Sequence, residues 1–168
     1  MDRLRTGKAS ELSESSIAVW IAASALEEIR TEAGRWPHQE TGGMLLGYWA
    51  GVEVVVTDVV GPGPCAVHKP ASFSPDHDWQ LERLAETYTA SGRVVTYLGD
   101  WHTHPGGAPA PSARDRRTMR RIRRSGRARQ RRPLMVIVGP TPSSTPKVWC
   151  LPSGTFPRAL SFTEIEVI

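Results

Sequence analysis

His102 and His104 stand one residue apart in GDWHTHPGGAPAPSARD (99–115), and Ser112 and Asp115 close the same stretch. In a β-strand, period two puts both imidazoles on one face, about 6.5–7 Å apart along the chain, so they can converge on one ion. Pro105 stops the strand ladder, GGAPAP turns the chain back, and Pro111 leads into a helix whose first turn carries Ser112 and Asp115. Two histidines, one aspartate and a water form a coherent catalytic zinc set, because three protein ligands leave a fourth position open. Zinc lowers the pKa of such a water to about 7, which supplies hydroxide at neutral pH. Each residue also has a plain structural explanation. Ser112 and Asp115 form an S-x-x-D pattern close to a capping box, and histidines are common on half-exposed strands. The conjunction decides: H-x-H-P-x6-S-x2-D arises in a chain of this composition with a chance on the order of 10⁻⁵ to 10⁻⁴. The site reading is preferred.

A hydrolase also needs a base near that water, able to pass its proton to the leaving group. Glu40 in PHQETGGMLLG (37–47) is the candidate. It stands just before a strand, and Gly42 and Gly43 permit close backbone approach or unusual dihedrals. Taken alone, the fragment reads better as an exposed loop acid.

The elements that must position these residues are legible as patterns. Val19, Ala22, Ala23, Leu26, Ile29 and Ala33 recur at helical steps and predict an amphipathic helix from Ser15 to Ala33, with Ser15 or Ser16 as N-cap and Gly34 just past its end. GGMLLGYW (42–49) and VEVVVTDVV (52–60) read as strands joined by Ala50-Gly51. The segment 61–75 is a Pro/Gly-rich loop without periodicity. A second helix is expected from Asp76 to about Ser91, burying Trp79, Leu84 and Tyr88. RVVTYLGDWHTH (93–104) is a strand in which Trp101 faces away from the histidines, into the core. SARDRRTMRRIRR (112–124) begins a third helix, and PLMVIVG, KVWCL and RALSFTEIEVI supply further strands. Helices interspersed with strands predict one mixed α/β domain over 1–168, with 1–14 as a disordered tail.

The totals bound the function. A chain of 168 residues suits a single core. Cys65 and Cys150 form no CxxC pair and neither nominate a zinc site nor require a disulfide. The opening MDRLRTGKASELSESS lacks an apolar signal region, and no run of about 18 apolar residues suggests a membrane span, so a cytoplasmic protein is expected. The net charge of +4 conceals an asymmetry, because eleven arginines and one aspartate lie between Arg114 and Arg132. That tract carries +10 and leaves −6 for the remainder, since 4 − 10 = −6. It suits phosphates, an acidic protein surface, or simply a solvated helix face. It contains no interleaved aromatics of the kind that stack on bases.

Glu40 in an E-T-G-G-x-L-x-G setting, followed by H-T-H-P-x6-S-x2-D, resembles the JAMM (JAB/MPN) metalloprotease family, from about Ile17 to Val138. The resemblance implies a twisted sheet flanked by helices, of the cytidine-deaminase-like type, and a zinc-dependent isopeptidase acting on ubiquitin-like modifiers. By position, His102, His104 and Asp115 match the zinc ligands, Glu40 the general acid/base, and Ser112 the residue stabilising the oxyanion. YLGDWHTHP (97–105) further resembles bacterial members found beside E1–E2-like conjugating enzymes, including those of CBASS anti-phage operons. The implied partners are a ubiquitin-like protein or its conjugate, and an E1–E2-like enzyme with its target. Of the other histidines, His68 and His77 read as exposed loop residues, while His38 could line the cleft. A RadC-like nucleic-acid role, which the 114–132 tract would suit, and a non-catalytic MPN scaffold are the rival readings. The chain keeps the metal ligands that scaffolds usually lose, and lacks the P-C-x-x-C half of a cytidine deaminase.

Overall fold

The computed structural model describes residues 17–152 and 156–166. The tail expected over 1–14 lies outside them. Along the chain run β1 (Ala18–Ala22), α1 (Ala23–Arg35), β2 (Gly42–Ala50), β3 (Glu53–Val60), β4 (Val67–Lys69), β5 (Ser72–Ser74), α2 (His77–Ala90), β6 (Thr96–Thr103), α3 (Ala113–Arg124), β7 (Leu134–Val138), β8 (Lys147–Cys150), β9 (Arg158–Leu160) and β10 (Phe162–Ile165). Eight strands form one mixed sheet in the order β10-β1-β3-β2-β6-β7-β8-β9. Its two ends are β9 and β10, which only Ser161 separates in sequence. The sheet therefore curls until its edges meet. This is the mixed α/β architecture expected, with helices on both faces.

Alternation along the central strands sorts their side chains into two layers. Leu45, Leu98, Trp101, Val136 and Val138 pack with Leu26 and Ile29 of α1 on one face. On the other, Met44, Leu46 and Val60 meet Trp79 and Leu84 of α2, while Met135 and Ile137 meet Met119 of α3. The pairing of β2 with β6 shifts register between Leu45↔Gly99 and Leu46↔Tyr97. That β-bulge inserts one residue and changes the phase of β6. Tyr97 and Asp100 thus share the groove face with His102, and Leu98 and Trp101 share the core face. Trp101 is 1% exposed and donates its ring N–H to the Val60 carbonyl at 3.2 Å.

Four details differ from the sequence expectation. The first helix begins at Ala23, not Ser15, and Ser15 and Ser16 lie outside the described residues. AVWIA forms β1 because its β-branched and aromatic residues suit a strand, and parallel partners β3 and β10 hold it on both sides. Gly34 falls within α1, which ends at Arg35. The 61–75 loop contains the antiparallel hairpin β4–β5, too short for periodicity to reveal. Trp79 and Leu84 are half-buried and Tyr88 is 38% exposed, so α2 buries less of its apolar face than expected. Finally, RALSFTEIEVI divides at Ser161 between the two sheet edges. The described residues contain no helix long and apolar enough to cross a membrane.

Candidate metal centre

Asp115 reaches the histidines because α3 starts beside the end of β6. Ser112 is the N-cap of α3 and its Oγ accepts the Asp115 N–H at 3.2 Å, while the Ser112 N–H donates to Asp115 Oδ2 at 2.6 Å. The capping box is therefore real, and it also fixes the Asp115 carboxylate. His102 Nε2 lies 3.5 Å from Asp115 Oδ1, His104 Nε2 lies 3.5 Å from Asp115 Oδ2, and the two Nε2 atoms are 2.9 Å apart. Ligands about 2.0–2.1 Å from a tetrahedral ion are about 3.3–3.4 Å from one another. The three side chains thus have the mutual spacing that one ion demands, and they are a triad suitable for a metal ion.

The tautomer points the same way. His104 Nδ1 lies 2.9 Å from the Ala108 carbonyl oxygen. A carbonyl only accepts, so Nδ1 carries a proton and Nε2 is the nitrogen left for a metal ion; in the metal-free site a proton taken up on Nε2 donates to Asp115. Burial pushes the Asp115 carboxyl up, but hydrogen bonds from His102 and His104 outweigh it and hold that carboxyl well below the usual range. The hydrogen bond with Asp115 raises the His104 pKa against the opposing effect of burial. Asp115 is 9% exposed and His102 6%, so the donors face a site largely shielded from solvent.

Glu40 arrives from the neighbouring strand. Gly42 pairs with His102, the Thr103 N–H donates to the Thr41 carbonyl at 2.9 Å, and the Thr41 N–H donates to the Thr103 side-chain Oγ1 at 3.0 Å. Glu40 lies two residues before Gly42, just outside β2, and its carboxyl feels the charges of His102, His104 and Asp115. Gly42 and Gly43 are needed here, since a Cβ would lie 2.3 Å from the Trp101 oxygen at the first and 1.8 Å from the Val60 oxygen at the second. Burial raises the Glu40 carboxyl pKa, with His102 and His104 opposing.

Sequence reasoning placed His68 as an idle loop residue, and the structure corrects this. His68 Nδ1 lies 3.0 Å from the Glu40 carbonyl oxygen, and its ring stacks on Trp36 at 3.7 Å between centroids. The Glu40 N–H donates to the Lys69 carbonyl at 2.8 Å. Hairpin β4–β5 thereby satisfies both backbone groups of Glu40. Trp36 is held in turn by its ring N–H to Glu32 at 2.9 Å. No single-sequence signal announces this chain of contacts, because it joins three segments distant in sequence. Asp100 was also missed as a groove residue: burial raises its pKa, and the Tyr97 hydroxyl donates to it at 2.8 Å. His38 is exposed and does not line the groove, whereas His77 does.

The groove encloses about 650 Å³ between α2 and α3 and contains Glu40, His102 and Asp115 at one end. A curled mixed sheet gathers two imidazoles and a carboxylate suitable for a metal ion, with Glu40 lining the same groove. Residues 22–151 match the model of the prokaryotic homologues of the JAB domain, and the chain belongs to that family. A probable metalloprotease, y4qB of Sinorhizobium fredii, is 40% identical over 151 residues, which cover 88% of this chain and 91% of that protein. A CD-NTase/cGAS isopeptidase of Enterobacter hormaechei is 28% identical over 82% of this chain and 74% of its own length. The isopeptidase of that name from Vibrio cholerae is 35% identical, but over only 49% of this chain and 53% of that protein. The solution structure of DSY2949 from Desulfitobacterium hafniense matches the fold with a TM-score of 0.68, at 21% identity, over 89% of this chain and 94% of that one. The chain is accordingly a JAMM-type hydrolase of the metalloprotease and isopeptidase kind.

Proposed function

We propose that this chain is a zinc-dependent, cytoplasmic isopeptidase that hydrolyses the bond after the C-terminal tail of a ubiquitin-like modifier, releasing it from a lysine or a precursor. The observation that carries the reading is the spacing of His102, His104 and Asp115, with Glu40 lining the same groove as His102 and Asp115. Two imidazoles and one carboxylate at tetrahedral separations favour zinc over harder cations, which prefer oxygen ligands. When bound, the ion would acidify a water and polarise the scissile carbonyl.

Glu40 accepts a proton from the attacking water and delivers it to the departing amine, a role suited to a carboxyl whose pKa is raised by burial. Asp115 stays ionised throughout, and His104 keeps its Nδ1 proton on the Ala108 carbonyl. Ser112 accepts the Asp115 N–H but retains its own hydroxyl proton, which donates to the developing oxyanion; one such donor is worth roughly 3 kcal/mol. The modifier tail enters extended, as an added strand, with small residues before the cleaved bond.

The relatives named CD-NTase/cGAS isopeptidases support a conjugate as the natural substrate, and the resemblance of YLGDWHTHP (97–105) to bacterial members beside E1–E2-like enzymes is the ground for proposing such an enzyme and an anti-phage setting. The test is cleavage of ubiquitin-like and CD-NTase conjugates by the zinc-loaded chain. Release of the free modifier, abolished by a chelator and by Glu40→Gln, is expected. Intact conjugates with protein that has taken up zinc would overturn the proposal and favour a scaffold.

A further inference from the structure

We infer that the groove leading from the metal centre is built for a tail that carries an acidic side chain about three residues before the cleaved bond. The inference rests on the isopeptidase reading and names its substrate class. Arg114, Thr118, Arg121 and Ser125 recur at helical steps on one side of α3 and line the groove. Arg127 extends that wall beyond the helix. The opposite wall is apolar, with Leu81 and Leu84 of α2, and Leu81 is 45% exposed with nothing over it. Met44 and Ile122 continue the apolar lining.

Arg114, Arg121 and Arg127 make no ion pair with any described carboxylate, whereas Arg30, Arg35 and Arg83 each pair with a glutamate. Arg121 acts on Asp100 and Arg114 on Glu40 only at longer range, so these guanidinium groups keep their hydrogen-bonding donors open to an anionic partner in a concave, partly apolar site. Arg121 lies six positions after Asp115, a rise of about 9 Å along α3. Extended chain advances about 3.3 Å per residue, so Arg121 meets the third residue of a tail laid along the helix. Successive side chains of that tail alternate between the arginine wall and the Leu81–Leu84 wall. The tail's pattern is therefore acidic at the third position and apolar at the fourth, with small residues between the third position and the metal.

A nucleic-acid strand fits less well. Its phosphates would have to pass Asp100, Asp115 and Glu40 on the groove floor. The proposed peptide brings one carboxylate, set against Arg121, in place of a phosphate at every step.

The experiment uses two fluorescein-labelled decapeptides ending in Gly-Gly, identical except for Glu or Lys at the third position from the end. Binding to the zinc-loaded chain is read by anisotropy, and cleavage is followed on the same sequences as fusions. The wild type is expected to bind the Glu peptide about tenfold more tightly. Arg121→Glu reverses the preference, while Arg117→Glu, the same charge change on α3 outside the groove, preserves it. Equal binding of both peptides, or equal effects of the two substitutions, would overturn the inference. Displacement of the Glu peptide by a DNA 20-mer at about 150 mM salt would overturn it in favour of a phosphate-binding groove. Charge-selective binding without cleavage of any fusion would instead leave the groove assignment standing and remove the isopeptidase reading.

Discussion

Ser112→Ala removes an N-cap acceptor and a hydroxyl donor in one step. The Ser112 Oγ accepts the Asp115 N–H at the start of α3, at 3.2 Å. Loss of such a cap costs about 1 kcal/mol, or about 2–4 °C in Tm for a domain of this size. Loss of the oxyanion donor costs roughly 3 kcal/mol in the transition state, about a hundredfold in kcat. Ser112→Gly separates the two, because glycine at an N-cap costs only a few tenths of a kcal/mol yet also lacks the hydroxyl. The account predicts that Ser112→Gly melts within about 1 °C of the wild type and shows the same hundredfold fall in kcat. Thermal melts and initial rates on a cleaved modifier fusion decide this, with zinc content measured for each variant because Asp115 shares the capping box. A Ser112→Gly protein with full zinc and wild-type kcat would show that Ser112 is only a cap.

Three further expectations follow from the geometry. Glu40→Gln should retain zinc and lower kcat by about 10²–10⁴-fold. The wild-type rate should fall as pH drops through a value above the ordinary glutamate range, a limb absent from the variant; an unchanged profile would contradict the assignment. Zinc affinity should weaken as pH is lowered through the raised His104 pKa, because the proton competes for Nε2. In the metal-free protein the same group contributes stability present below about pH 6.5 and lost as pH rises through the raised value; competition titrations and melts at several pH values check both signs. Gly43→Ala would drive a Cβ to 1.8 Å from the Val60 oxygen. It should cost roughly 1–3 kcal/mol or more in denaturant unfolding, and an unchanged midpoint would refute the close packing of β2 on β3.

What the sequence made legible was local. His102, His104, Ser112 and Asp115 sit within one short strand-turn-helix, so period two and a capping box suffice to bring them together. Trp101 could be assigned to the core by alternation alone. The strand at Ala18–Ala22 was hidden because five residues fit a helical spacing as well as a strand one, and only pairing with β3 and β10 decides between them. The bulge in β6 likewise depends on a partner strand. His68 was misjudged for the same reason, since its value lies in contacts with Glu40 and Trp36 across the chain. The arginine tract could be counted but not oriented until α3 was seen to share a groove with α2.

The account stands on one claim: His102, His104 and Asp115 hold a metal ion. Elemental analysis of the purified chain beside His104→Ala tests it most directly. The prediction is about one zinc per wild-type chain and a loss of that zinc in the variant, whose fold is checked by its melt. A wild-type protein that contains no zinc, and takes up none on reconstitution, would contradict it.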